Sequence, residues 1–124
     1  MPYVDGYVIV VPKKKLKAYE KMAKLGERVW RDHGALDYKE CVLDDPSTMG
    51  GTPFPKLAGA KKTDTVMFSY VVYATRAQRD KVNAKVMKDP RMGSFDPKKM
   101  PFDMTKMSFG GFKVLVGGGA KRRR

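Results

Sequence analysis

Four segments of the chain carry the apolar patterns of β-strands. Residues 3–11 are rich in β-branched and aromatic side chains, which alternate between two different faces. Residues 36–43 have the length and apolar content of a second strand. Residues 65–73 are apolar on both faces except at Ser69, which is typical of a strand that is covered on both sides. Residues 107–116 supply the last strand, in which Gly110 and Gly111 indicate a bulge or a close backbone approach.

Two further segments repeat apolar residues at helical spacing. The first begins after Pro12 and predicts one long amphipathic helix that ends near Gly34. The second starts at a capping box, Thr75 to Gln78, and ends before Pro90. The resulting order βαββαβ predicts an α+β domain of ferredoxin-like type, with a four-stranded antiparallel sheet and two helices on one face.

A long connection separates the second and third strands. Residues 44–63 contain three prolines and three glycines, which exclude a continuous helix or a central strand. We therefore expect a surface loop, and loops of this length in compact domains are often functional. A lid or partner-contact segment and a tolerated insertion both fit the pattern.

The predicted sheet has one face that the two helices cannot cover. Tyr7, Ile9, Met67 and Val71 are candidates for this open face, and an apolar patch of that size usually marks an interface. We expect a homodimer in which two sheets pack face to face as a barrel, in preference to an exposed face or a cover formed by the long loop. Residues 1–116 would form a single domain and residues 117–124 a flexible basic tail.

Length and composition limit the classes of protein to consider. The 124 residues are 42% hydrophobic, enough for one core, and no apolar stretch approaches the roughly 20 residues that cross a bilayer. The first residues lack the pattern of a secretory signal, so a cytoplasmic location and no membrane partner are expected. Cys41 is the only cysteine and His33 the only histidine, so neither a disulfide within the chain nor a metal site is expected, and no cofactor is predicted.

Candidate ligand-binding residues lie at the end of the first helix and in the strand that follows it. His33 near a carboxylate could serve as a general acid or base, or could interact only with the dipole of its helix. Asp5 and Glu40 interrupt β-type segments and could bind a polar ligand, or could pair with Lys or Arg across a dimer interface. The leading hypothesis is a small-ligand-binding or enzymatic barrel whose cavity draws on residues of the 44–63 loop and on these candidates: Trp30, His33, Tyr38, Glu40 and Asp5.

The charge of the chain supports an alternative function. The formal charge is +13, and residues 61–124 hold sixteen basic and five acidic residues, against ten and eight in residues 1–60. Such an excess favours attraction to nucleic acid, although it also serves solubility alone, and no dedicated nucleic-acid motif accompanies it. Eight of these sixteen basic residues are the candidate RNA contacts: Lys61, Lys62, Lys98, Lys99, Lys106, Arg122, Arg123 and Arg124.

Several short motifs together resemble a known family. They include residues 3–6, residues 33–38 with Glu40 and Cys41, residues 79–91, and residues 100–103 with Gly110 to Phe112. In order and spacing these are similar to the YbaA-like proteins, a bacterial family of unknown function, over nearly the whole chain. The resemblance implies a dimeric α/β-barrel fold related to the antibiotic-monooxygenase barrels, and it implies no established activity.

Overall fold

The computed structural model describes residues 1–93 and 96–117, which form four strands and three helices. The strands are β1 (Tyr3–Pro12), β2 (Asp37–Val42), β3 (Asp64–Tyr73) and β4 (Ser108–Lys113), and the helices are α1 (Leu16–Asp32), α2 (Phe54–Ala58) and α3 (Arg76–Met87). Single 3-10 turns occupy Lys13–Lys15, Pro90–Met92, Pro97–Lys99 and Met104–Lys106. The α+β class predicted from the sequence is confirmed. Within the described ranges, no helix is long and apolar enough to cross a membrane.

The four strands form one antiparallel sheet in the order β2-β3-β1-β4, which is consistent with a ferredoxin-like fold. The long central strand β1 pairs with β3 from Tyr3 opposite Tyr73 to Pro12 opposite Asp64. On its other side β1 pairs with β4 in a continuous register through Gly110 and Gly111. There is therefore no bulge at these glycines, and the predicted alternative, a close approach, is found at Gly111.

Local signals in the sequence account for the helix ends. The Thr75 hydroxyl accepts a hydrogen bond from the Gln78 backbone N–H at 3.0 Å, so half of the predicted capping box starts α3. Gly34 follows α1 with φ of +116°, a backbone conformation that glycine adopts without a steric penalty. Ends of this kind depend on neighbours in the chain, which is why the sequence predicts them well.

The helices α1 and α3 pack on the sheet face that carries the odd-numbered residues of β1 and β3. Ile9 and Met67 lie in one core cluster with α1, and Val71 in a second cluster with Val29 and Val82. Tyr7 packs against both clusters. The assignment of Tyr7, Ile9, Met67 and Val71 to the open face was therefore wrong. Because β1 and β3 are apolar on both faces, their alternation separates two sets of residues but does not show which set meets the helices.

The open face of the sheet carries the even-numbered residues of β1 and β3, with those of β4 that pair with them. Its apolar members include Val4, Val8, Val72, Phe68 and Phe112, the last two with 49% and 60% of their surface exposed. At one end of the same face, Val10 and Val66 are buried.

The long connection contributes a helix that was not predicted. Helix α2 contacts β1 and β3, and the ring of Phe54 lies 6.4 Å from the ring of Phe68 on the open face. Pro55 stands in its first turn, where the missing N–H costs nothing, and Gly59 ends it with φ of +72°. The prolines and glycines do exclude a continuous helix over residues 44–63, but they allow one of five residues, and the connection covers one corner of the open face.

Candidate functional site

The Glu40 carboxylate accepts hydrogen bonds from three hydroxyl groups on the helix-covered face of the sheet. Tyr19 of α1 donates to Glu40 Oε1 at 2.7 Å, and Tyr38 of β2 donates to Oε2 at 2.8 Å. Ser69, which stands opposite Glu40 in the pairing of β2 with β3, donates to Oε1 as well. Tyr19 and Ser69 are buried, whereas Glu40 and Tyr38 are half-buried. The carboxylate is therefore satisfied by neutral donors.

The two tyrosine hydroxyls in this cluster retain their protons. Burial raises the pKa of Tyr19 and the pKa of Tyr38 well above the usual range, and the nearby Glu40 carboxylate raises both further. Burial, with the charges of Asp5 and Glu40, also raises the pKa of Tyr7 to about 12. Phenols with such pKa values act as donors, and so the hydrogen bonds to Glu40 run from hydroxyl to carboxylate.

Gly26 allows Tyr38 to reach Glu40. A Cβ atom built on Gly26, in the buried stripe of α1, would lie 2.6 Å from the Tyr38 hydroxyl oxygen and 3.5 Å from its Cζ. Any larger residue would therefore push the tyrosine ring away from the helix. Gly26 fits the helical spacing of the buried side of α1, yet its role depends on a side chain twelve positions along the chain.

A cavity of about 520 Å³ lies between the sheet, α1, α3 and residues 100–107, with Glu40 in its wall. Its lining is mainly aromatic and methionine, and Lys39 and Glu40 are the only charged residues among the described residues that line it. The rings of Trp30 and Tyr38 lie 6.0 Å apart, and Tyr7 stacks on Phe109 at 5.5 Å. A cavity of this size with few polar groups suits a small organic molecule.

A second depression of about 490 Å³ opens between α1 and β2 on the surface. It shares Tyr19, Ala23, Tyr38 and Glu40 with the cavity. Glu40 therefore stands where the inner cavity meets an opening to solvent. We call the cavity and this groove together the Glu40 site.

Asp5 is buried in a neighbouring cluster and does not line the cavity. Its Oδ1 lies 3.5 Å from Arg79 Nε, and burial raises the pKa of Asp5 while the Arg79 charge opposes the rise. Arg79 also donates to the Tyr3 hydroxyl at 3.0 Å, and its guanidinium lies over the Tyr3 ring. Asn83 connects this cluster with the cavity, because its hydrogen bond with Asp5 lowers the pKa of that carboxyl and its Oδ1 accepts from Trp30 at 3.3 Å. Asp5 thus pairs within its own chain.

His33 is held away from the cavity. Its Nε2 lies 2.7 Å from Asp89 Oδ2, and Arg91 binds the same carboxylate and, at 2.7 Å, Asp32. This ion cluster joins the end of α1 to the turn that follows α3. Of the five predicted ligand-binding residues, the structure places Trp30, Tyr38 and Glu40 together in the cavity wall, and it places His33 and Asp5 in separate pairs.

The predicted RNA-contacting lysines lie in exposed or half-exposed turns. Lys61 and Lys62 precede β3, and Lys98, Lys99 and Lys106 lie in or next to the 3-10 turns of residues 97–106. A hydrogen bond of 2.9 Å from Lys13 N to Thr63 O brings the Lys13–Lys15 turn beside Lys61 and Lys62. Arg122, Arg123 and Arg124 lie outside the described residues.

Some residues of the Glu40 site were not predicted from the sequence. Tyr19 stands at helical spacing like a core residue of α1, and Asn83, between Val82 and Val86, carries no sequence signal of a site. Ser69 did give a signal, as the single polar residue in an apolar strand, but nothing in the sequence connected it with Glu40. Cys41 is exposed on the open face, where it stands opposite Phe68. No group of three potential metal ligands occurs in the described part of the chain.

Fold and site together define a small α+β protein with an aromatic cavity on the helix side of an antiparallel sheet and a hydroxyl-bound carboxylate in the cavity wall. Residues 2–104 match the model of the family described as "Protein of unknown function (DUF1428)". Because the match covers most of the chain, this protein belongs to that family.

Known relatives agree with this assignment. The chain is 38% identical over 95 residues to the uncharacterized protein YbaA of Escherichia coli K12, covering 77% of this chain and 81% of that protein, and it has the same identity and coverage with YbaA of Shigella flexneri. A solved structure from Burkholderia cenocepacia aligns at 11% identity and a TM-score of 0.31, covering 92% of this chain but only 27% of that one. At that TM-score the alignment supports no conclusion about fold or function.

Proposed function

We propose that this protein binds a small organic ligand in the Glu40 site, with the Glu40 carboxylate as its polar anchor. The observation that carries the proposal is the position of Glu40, which three hydroxyls hold in place between an aromatic cavity and an opening to solvent. Polar groups fixed in this way in an otherwise apolar cavity are typical of ligand recognition.

Trp30 provides a direct test, because it is the only tryptophan and lines the cavity. A small-molecule library is screened by thermal shift, and compounds that raise the Tm are titrated against Trp30 fluorescence. Ala23→Phe should fill the cavity and abolish binding, whereas Ala18→Phe on the exposed side of α1 should leave it unchanged. Binding that survives in Ala23→Phe, or a library without any binder, would contradict the proposal.

We also propose that the open face of the sheet forms a homodimer, as two sheets packed face to face. The supporting observation is the set of large apolar side chains that stay exposed on this face even with α2 in place, including Phe68 and Phe112. Sedimentation equilibrium at micromolar concentration measures the assembly. A monomeric mass under those conditions contradicts the dimer without affecting the ligand-binding proposal.

Electrostatic binding of nucleic acid is the second candidate function. It is favoured by the five lysines that the Lys13–Thr63 hydrogen bond brings together in two adjacent turns, Lys13 to Lys15 with Lys61 and Lys62. Titration with short RNA and DNA at about 50 mM and about 200 mM salt should show affinity that falls steeply with salt. Deletion of residues 117–124 should weaken this binding and leave the fold intact. If no binding is detected at low salt, or if the affinity is unchanged at high salt, electrostatic binding of nucleic acid is contradicted.

A further inference from the structure

The Glu40 site contains a negative charge without a positive partner. Among the described residues, no Lys, Arg or His nitrogen lies within 4.0 Å of the Glu40 carboxylate, although nine such ion pairs occur elsewhere in the fold. Lys39, the other charged residue in the cavity wall, binds Asp37 at 2.6 Å. The cation nearest in sequence to Glu40 is therefore already paired.

The hydroxyl groups around Glu40 orient its charge without cancelling it. Tyr19, Tyr38 and Ser69 all donate to the carboxylate, and a neutral donor leaves the net charge of the acceptor in place. A carboxylate has about four lone-pair positions, so three donors leave room for one further donor. The remaining position is available to a ligand that brings a proton donor or a positive charge.

The surrounding wall suits the other parts of such a ligand. Aromatic rings attract cations to their faces, and the wall contains Trp30, Tyr38, Tyr7 and Phe102. Methionine side chains are flexible and polarizable and adapt to an apolar body of irregular shape. The methionines of the wall come from α1, α3 and the segment after α3: Met22, Met87, Met92, Met100, Met104 and Met107.

The opening to the site is not basic, although the chain carries a charge of +13. The charged residues that line the groove are Glu20, Glu27 and Glu40 against Lys24 and Lys39. Lys24 lies 3.6 Å from Glu20, and Glu27 binds Arg31 at 3.1 Å outside the groove. The lysines at this opening are thus neutralised locally, and the general positive charge does not extend into it.

From these observations we propose that the ligand of the Glu40 site is an organic cation, an amine or ammonium group attached to an apolar body. The cationic group binds the free position of the Glu40 carboxylate among the aromatic rings, and the apolar body lies against the methionines. This inference rests on the proposed ligand-binding function and specifies the chemical class of the ligand. An anion of the same shape meets the Glu40 charge and is rejected.

The test compares three probes of similar size and different charge at neutral pH: phenethylamine as the cation, 3-phenylpropanol as the neutral compound and 3-phenylpropionate as the anion. Each is titrated against Trp30 fluorescence in the full-length protein. We expect the amine to bind about tenfold more tightly than the alcohol, a difference of about 1.4 kcal/mol, and the anion to bind most weakly. Glu40→Gln, which keeps the size and polarity of the side chain, should remove the preference for the amine and leave the affinity for the alcohol unchanged.

The outcomes separate the two proposals. If the three probes bind equally, or if the anion binds most tightly, the cavity is a ligand site and the inference about its charge preference is wrong. If no probe alters Trp30 fluorescence although the library screen finds a binder, the inference is wrong and the ligand-binding function stands. If the library also contains no binder, both proposals are contradicted. The charge series on the wild-type protein decides the question even if Glu40→Gln fails to fold, which circular dichroism reports.

Discussion

At the scale of single residues, Gly26 controls the position of Tyr38. In an exposed part of a helix, glycine to alanine stabilises by up to about 1 kcal/mol. At Gly26 we expect the opposite sign, a loss of roughly 1–3 kcal/mol in the free energy of unfolding, because the new Cβ would lie 2.6 Å from the Tyr38 hydroxyl. Urea unfolding of Gly26→Ala measures this change.

The cause of that loss can be isolated with a second substitution. Tyr38→Phe removes the hydroxyl that the new Cβ would strike, so adding Gly26→Ala to Tyr38→Phe should be neutral or stabilising. Gly51→Ala serves as a control, because nothing lies within 4 Å of a Cβ at that position. Equal costs of Gly26→Ala in both backgrounds would show that Tyr38 is not the residue it displaces.

Gly110 and Gly111, adjacent in β4, also differ in the space that a Cβ atom would find. A Cβ on Gly111 would meet the buried Tyr3 ring, with Cε2 at 2.8 Å, whereas a Cβ on Gly110 would make only an ordinary contact of 3.7 Å with Phe112. We expect Gly111→Ala to destabilise by roughly 1–3 kcal/mol and Gly110→Ala to change stability little or to increase it. Thermal and urea unfolding measure the change in stability of each variant. If both variants change stability by the same amount, the packing of Tyr3 and Arg79 does not require a glycine at position 111.

At the scale of elements, the His33–Asp89–Arg91 cluster joins α1 to the end of α3. Hydrogen bonds from Arg91, followed by the one with His33, hold the pKa of Asp89 well below its usual range. A carboxyl with a lowered folded-state pKa stabilises the fold above its unfolded-state pKa of about 4, and this contribution is lost as the pH falls toward the folded-state pKa.

Asp89→Asn should therefore be less stable than the wild type above about pH 5, and the difference should shrink as the pH is lowered further. Urea midpoints measured across the acid range give the two curves. Asp44→Asn is the control, because Asp44 forms no ion pair with the described residues. A wild-type advantage that stays constant down to low pH would exclude the Asp89 charge as its source.

At the scale of the whole molecule, the proposed homodimer uses the open face of the sheet. Phe112 is 60% exposed, so Phe112→Glu should cost the isolated chain little, while a charge buried in a packed sheet-to-sheet interface should dissociate the dimer. We expect sedimentation equilibrium to show a monomer for Phe112→Glu and a dimer for Met49→Glu, which changes a fully exposed side chain in the loop. A dimer that survives Phe112→Glu must use another surface.

The candidate site was only partly predictable from the sequence. Trp30, Tyr38 and Glu40 were singled out together because they lie close in the chain, and Tyr38 and Glu40 share a strand face by alternation. Tyr19 and Ser69 stand 21 and 29 positions from Glu40, and the partner of His33 stands 56 positions away. No local pattern contains such pairs, because they arise from the packing of α1 and from strand pairing.

By itself the sequence determined the features that depend on near neighbours: the strands and the two long helices, the cap at Thr75, the turn at Gly34 and the sorting of each strand into two sets of side chains. The tertiary structure decided which set meets the helices, because an apolar residue gains the same free energy against any apolar surface. It also decided that α2 covers one corner of the open face and that Glu40 receives three hydroxyl donors. Hydrogen bonds require defined distances and directions, and only the folded chain provides them.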